Sequence, residues 1–279
     1  MIVCHDVWFR YKGATSWALR GVSLRVGRGE TVAIMGQNGA GKSTFLRHLN
    51  GLLQPDRGDV YVDGVNTRTR SVAQLSKVVS VAFQNPEHQL FANTVEEELD
   101  FSLKTLDWSD DQKREAKRNA VKEFGLERFV ERAPFSLSGG ERKLVAIASL
   151  VVRDAPVIVL DEPTLGQDGK HKLQLASFLN SQAGVGKTII VVTHDLEFAS
   201  ANFERLLVFH EGRLVADDEP STVLTCHQAL EKSALHPPQL TEVAAEVRKR
   251  HPEFPSKVVT VESFVAACCN LLGLREEAK

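Results

Sequence analysis

The sequence predicts an α/β protein: a mixed sheet flanked by helices, preceded by an antiparallel β subdomain, interrupted by an α-helical subdomain and followed by a small helical appendage. Three observations predict it. Residues 36–44 read Gly-Gln-Asn-Gly-Ala-Gly-Lys-Ser-Thr, the phosphate-loop pattern G-x-x-x-x-G-K-[ST], set between the apolar run Thr31–Met35 and the helical stretch Ser43–Asn50. Val157–Leu160 and Thr188–Val192 are continuous apolar runs, as central parallel strands covered on both faces require. Residues 94 to about 153 carry helical patterning instead.

Taken in order, Ile2–Phe9 and Val22–Val26 alternate as short strands around a polar turn at Lys12-Gly13. Tyr11 ends the first of them, either as a strand-end aromatic or as a ring free to stack on a base. In the phosphate loop, glycine lets the backbone curl with its N–H groups inward, where a Cβ would block a phosphate. The helix N-terminus adds a partial positive charge, Lys42 adds a full one, and the Ser43 hydroxyl can ligate Mg²⁺. A bound nucleoside triphosphate is the expectation.

Gly51–Gly58 is rich in helix terminators. Strands come next at Asp59–Asp63 and Val78–Phe83, the second stopping before Pro86, which cannot donate to a ladder. That leaves the Gln84 amide at the C-terminal end of a buried strand, where α/β sheets bind ligands. Thr94–Glu97 and Ser109–Gln112 read as capping boxes. So does Ser138-Gly-Gly-Glu141, opening the helix Arg142–Val152. Two glycines in a first turn cost about 1 kcal/mol each relative to alanine, which points to bare N–H groups held for a phosphate. Asp161-Glu162 ends one apolar run and Thr193-His194-Asp195 the other. A phosphate-loop enzyme needs a carboxylate near Mg²⁺ and a group to position the attacking water, and His194 is a candidate γ-phosphate contact. A hairpin across Glu211-Gly212 joins Leu206–Phe209 to Arg213–Ala216, and prolines 237, 238, 252 and 255 punctuate the short helical segments beyond it. The expected division is 1–220 and 221–279.

Composition narrows the function. The 279 residues are 43% hydrophobic and 25% charged, with a formal net charge of −2. No basic field advertises nucleic acid or an anionic membrane. Lys113-Arg114 and Lys117-Arg118 lie on a charged helical face and read as solvated surface. No apolar run approaches the ~20 residues of a membrane span and no signal-peptide pattern opens the chain, so a membrane role is expected to come through a partner. Cys4, Cys226, Cys268 and Cys269 lack C-x-x-C spacing. The last two fall in Phe264–Leu272, which reads as a buried helix face, so packing and a cytosolic setting are expected.

The order of Gly36–Thr44, Gln84, Leu137-Ser-Gly-Gly-Glu141, Val157–Glu162 and His194 resembles the ATP-binding-cassette (ABC) ATPases. There these are the Walker A, Q-loop, signature, Walker B and switch-histidine motifs, and the likeness covers residues 1 to about 220. It implies a P-loop NTPase core with ATP and Mg²⁺ as cofactors. It places Gly36, Gln37, Asn38, Gly39, Ala40, Gly41, Lys42, Ser43, Thr44 and the adenine-stacking Tyr11 on the nucleotide. Ser138, Gly139, Gly140 and Asp168 join them, the signature residues reaching the γ-phosphate of a second subunit. Ser43, Asp161 and Gln84 would hold the metal; Glu162, His194, Lys42 and Gln84 would be catalytic.

Phe83–Glu98 and the region Pro237–Ala245 look, more narrowly, like the ATPases of energy-coupling-factor (ECF) transporters, prokaryotic importers of vitamins or transition-metal ions. The segment after Gln84 would receive a coupling helix, and the appendage would help hold the ATPase dimer. Expected partners are a second ABC ATPase subunit, identical or paralogous, and integral membrane coupling and substrate-capture subunits, with no nucleic acid. The setting implied is the cytoplasmic face of the cell membrane. One departure stands out: the family's Gly-Leu-Asp-Pro D-loop is Gly166-Gln-Asp-Gly169 here. Alternatives are an ABC importer or exporter outside the ECF group, or a soluble ABC ATPase acting on nucleic acid or ribosomes. Against the last, the span from Lys42 to Ser138 has no sustained heptads and the chain has one cassette. A kinase or GTPase would explain neither the Ser-Gly-Gly start nor His194, and no N-K-x-D guanine motif is present.

Overall fold

The structure is a computed structural model that describes residues 1–84, 90–233 and 235–274. Alternation buries one face each of β1 (Ile2–Phe9) and β2 (Leu19–Val26), which pair antiparallel with Val3 opposite Arg25 and Phe9 opposite Leu19. β3 (Thr31–Met35) is apolar on both faces and enters a different sheet, ending at the phosphate loop before α1 (Lys42–Leu49). β4 (Arg57–Val62) returns to β1, and β5 (Val65–Asn66) completes a four-stranded antiparallel sheet in the order β2-β1-β4-β5.

α2 (Val72–Leu75), a single capped turn, leads into β6 (Val79–Ala82). The helical subdomain comes next, with α3 (Val95–Lys104), α4 (Asp110–Glu123) and α5 (Gly139–Val151). β7 (Val157–Asp161), α6 (Gly169–Gly184), β8 (Thr188–Val192), α7 (Leu196–Asn202), β9 (Arg205–His210) and β10 (Arg213–Asp218) finish the second sheet. Its order is β10-β9-β3-β8-β7-β6, parallel except for the β9–β10 hairpin.

Both faces of this sheet are covered, which explains the unbroken apolar runs. Ile34, Val159, Ile190 and Leu207 face the antiparallel sheet and α1, together with Phe45 and Val22. Met35, Leu160, Val191 and Val208 face the helical side, with Leu99, Phe124, Val145 and Phe178. Farther on, α8 (Pro220–Val223) and α9 (His227–Ser233) accompany Val223, Leu224 and Leu230 into this larger core. α10 (Gln239–Arg250) and α11 (Val261–Leu271) share a small core of their own around Ala244, Phe254, Val258 and Ala267.

Three sequence expectations need correction. β2 begins at Leu19 rather than Val22, because buried Leu19 pairs with Phe9. The capping boxes at Ser109 and Ser138 are complete, but the one at Thr94 is half-formed. Thr94 Oγ1 accepts the Glu97 N–H, while the Glu97 carboxylate reaches back one residue farther, to the Asn93 N–H. The run Phe264–Leu272 is not a buried face. Only Ala267 of α11 is buried, Cys268 and Cys269 are half-buried, and Val261 and Val265 are exposed. The reason is simple: α10 and the loop residues Phe254 and Val258 cover one side of α11, and the side carrying Val261 and Val265 is left exposed.

Candidate active site

Four neighbouring strands, β3-β8-β7-β6, end at one edge of the larger sheet. The loop from Gly36 leaves β3, His194 follows β8, Asp161-Glu162 closes β7 and Gln84 follows β6. Parallel pairing therefore lines up, side by side, groups that stand far apart in the chain. This is the carboxyl edge at which open α/β sheets bind ligands. A cavity of about 480 Å³ lies there, lined by residues 38–44, Tyr11, Gln84, Asp161, Glu162 and His194. Another cavity, of about 450 Å³ between α4, α5 and α6, is lined by groups such as Trp108, Asn119 and Gln182 and gathers no comparable chemistry.

The loop's shape depends on glycine at two close approaches. Gly36 has φ +139°, and a Cβ there would lie 2.1 Å from Phe209 O. Gly41, the N-cap of α1, has φ +101°, and its Cβ would lie 2.5 Å from Ala18 O. The curled loop presents carbonyls to its own lysine: Lys42 Nζ donates to Gly36 O at 2.6 Å and Gln37 O at 3.0 Å. Burial lowers the Lys42 pKa, while Glu162 and Asp161 work to hold its charge. Tyr11 is partly exposed at the cavity wall, its edge on Phe9 and its hydroxyl 3.1 Å from Thr44 Oγ1.

Asp161 is buried, which raises its pKa, and the Ser43 hydroxyl bonded to its side chain opposes that rise. A hydroxyl beside a carboxylate at the loop's mouth is a hard-oxygen donor pair that fits Mg²⁺ once phosphate oxygens complete the set. Ser43 and Asp161 would hold the ion, with exposed Gln84 lining the same cavity. Its contribution when bound is to offset charge on the phosphate oxygens.

Glu162 is the most constrained of the acids. Its backbone is left-handed, with φ +53°, and its N–H donates to Val192 O at 2.8 Å. Its Oε2 accepts the His194 N–H at 3.3 Å. Its Oε1 lies 3.2 Å from His194 Nε2 yet is buried without a hydrogen bond. Burial pushes the carboxyl up to about 7, against the pull of Lys42. A carboxylate with a free oxygen and a pKa near neutrality can hold a water and take its proton. Burial and Lys42 lower the His194 pKa, keeping the ring neutral, so its Nε2, 3.4 Å from Lys42 Nζ, can accept from the ammonium. A buried Thr164–Thr193 hydroxyl contact of 2.9 Å ties the Glu162 turn to the end of β8.

The other predicted residues lie apart from this cavity. Ser138 caps α5, accepting the Glu141 N–H at 3.3 Å while its own N–H reaches the Glu141 carboxylate at 2.9 Å. Gly139 has open space where a Cβ would stand, and Gly140 sits against Gln167 and His171. Asp168 caps α6, its Oδ1 accepting the His171 N–H at 2.8 Å. None of these four lines the cavity that holds the Walker motifs. Three residues went unnoticed in the sequence. Ala18 and Leu165 line the cavity, and Lys143 donates to the Glu162 and Leu165 carbonyls. None carried a signal: Lys143 follows Glu141 and Arg142 as the third of three consecutive charges at the start of the helix.

The ABC transporter family profile matches residues 19–165, just over half of the chain. The energy-coupling factor transporter ATP-binding protein EcfA of Methanothermobacter thermautotrophicus is 35% identical over 275 residues, covering 98% of this chain and 88% of that protein. EcfA2 of Methanospirillum hungatei is 36% identical over 257 residues, 91% of this chain, and the chain spans 64% of that relative's length. The solved structure of cbiO1 from Clostridium perfringens, described as part of the ABC transporter complex cbiONQ, superposes with TM-score 0.74 at 30% identity, over 90% of this chain and 95% of that one. A dimeric ATP-binding cassette in a post-hydrolysis state bound to ADP and Pi gives TM-score 0.71 at 31% identity, over 79% and 99%. The chain therefore belongs to the ABC transporter family, as a P-loop ATP hydrolase similar to the ATP-binding subunits of energy-coupling-factor transporters.

Proposed function

We propose that this chain binds and hydrolyses ATP to power import of a vitamin or transition-metal ion through separate membrane subunits. It would work at the cytoplasmic face of the membrane as half of an ATPase dimer. One observation carries the dimeric reading: the cavity gathers Lys42, Ser43, Asp161, Glu162 and His194, while Ser138–Gly140 stand outside it. A cavity walled on one side leaves the γ-phosphate charge half-surrounded, and a helix start with bare glycines is the complement it lacks. In the assembled site, Lys42 binds the phosphates, Tyr11 stacks on the base, and Ser138 to Gly140 of the second subunit cover the γ-phosphate. The Glu162 carboxylate takes the proton of the attacking water as the new oxygen–phosphorus bond forms and ADP departs, with His194 holding the γ-phosphate.

Membrane partners are supported on three counts. The relatives are transporter subunits by name. No helix among the described residues is long and apolar enough to cross a membrane. Phe91 and Phe101 form an exposed edge-to-face pair, centroids 4.5 Å apart, suited to an apolar partner helix. Residues 85–89, part of the segment expected to receive a coupling helix, lie outside the described residues. The uncovered side of α11 would add to the ATPase dimer contact. The test is native purification in mild detergent. Recovery of integral membrane subunits and an ATPase mate is expected. ATPase stimulation by ribosomes or DNA, without membrane subunits, would overturn the reading.

A further inference from the structure

Lys143 leads a buried run of α5 whose next residues are Leu144, Val145, Ala146, Ile147 and Ala148. It is 9% exposed. An ammonium in such surroundings is costly unless fully hydrogen-bonded. Its Nζ donates to Glu162 O at 3.0 Å and Leu165 O at 2.7 Å, and it does not line the nucleotide cavity. Both acceptors belong to the turn after β7. The only side chain in this turn with a catalytic assignment is Glu162.

The direction of the Glu162 side chain is set by the two peptide planes that flank its Cα. The first is fixed by the Glu162 N–H bonded to Val192 O at 2.8 Å. The second carries the Glu162 carbonyl, which accepts from Leu165 N–H at 3.3 Å within the turn and from Lys143 across it. A contact inside the turn moves with the turn. Lys143 anchors it from a separate helix, and at both ends. The anchor matters because φ +53° is a left-handed backbone state in which the Cβ of a glutamate is crowded, so the turn relaxes if unheld.

We propose that Lys143 is a positioning residue for ATP hydrolysis: its two hydrogen bonds fix the Glu162–Leu165 turn and thereby aim the Glu162 carboxylate into the cavity. The inference rests on ATP hydrolysis by the cassette; the membrane partners and cargo proposed above do not enter the measurement.

The test compares steady-state ATPase kinetics of the full chain with those of two variants. Lys143→Met keeps the length of the side chain and removes every donor. Lys143→Gln keeps an amide donor that can reach one carbonyl, not both. The expected order of kcat is wild type, Gln, Met. Lys143→Met should fall about 10–100-fold, the range a misplaced reacting group costs, and Lys143→Gln about 3–10-fold, each with KM for ATP within about twofold of wild type. Should Lys143→Met fail to fold, the fall in kcat of Lys143→Gln at unchanged KM decides alone. Wild-type kcat in either variant, equal losses in both, or KM rising in step with the loss would overturn the proposal.

Discussion

Glu162, the proposed base, combines a carboxyl pushed up by burial with a left-handed backbone that among the described non-glycine residues it shares with Asp6, Asp63, Asp154 and Glu211. Glu162→Gln should retain ATP binding while turnover falls by at least about 100-fold, the contribution typical of a positioned base; turnover near wild type would remove Glu162 from that role. The same variant reports on burial. The folded carboxyl titrates at about 7 against an ordinary 4.5, so its protonation favours the folded state. That contribution is complete below about pH 4.5 and is lost as the pH rises through 7. Without nucleotide, Glu162→Gln should therefore melt above wild type at pH 8 and converge with it near pH 5; an equal offset at both pH values would contradict the burial argument. Cys4 has a raised pKa for the same reason, about 12. Its thiol should resist alkylation at pH 8 until the chain unfolds, while exposed Cys226 reacts in the native state, as mass mapping would show.

Among the elements, α5 separates structural from functional demands. Gly139 has no positive φ, and a Cβ there would meet nothing within 4 Å. Gly139→Ala should thus stabilise the helix by up to about 1 kcal/mol, raising the melting temperature by about 2 °C. ATPase activity should nonetheless fall, because the methyl group would cover N–H groups that the proposed dimeric site places on a partner's phosphate. Activity rising with stability would leave this glycine without a ligand role. Legibility in the sequence divides the same way. β3 and β8 were readable to the residue because both faces are buried, and the loop at Gly36 because its chemistry tolerates few alternatives. α11 misled because apolar composition shows what could be buried, not whether a neighbour arrives to bury it. Lys143 was invisible because a lysine in a helix ordinarily marks solvated surface, and its acceptors are carbonyls, which sequence does not distinguish. The separation of Asp168 from the cavity depends on where α6 begins relative to β7, a tertiary relation.

For the whole molecule, the proposed dimeric site makes activity a property of pairs. Specific ATPase activity should fall toward zero on dilution and recover with protein concentration. A value constant over a hundredfold dilution would argue for a complete site within one chain. Association should also depend on the uncovered side of α11, where Val261 and Val265 are 60% and 50% exposed. Val265→Asp should weaken it, seen as a later onset of that concentration dependence, with little change in melting temperature. The left-handed backbone at residue 162 has one more consequence, for anyone breeding a hardier form of this protein. Glycine and asparagine are at ease in that conformation and glutamate is not. A screen that rewards heat resistance alone will be drawn to residue 162, and with Glu162 as the proposed base the winners it returns there should be robust proteins that no longer turn over ATP.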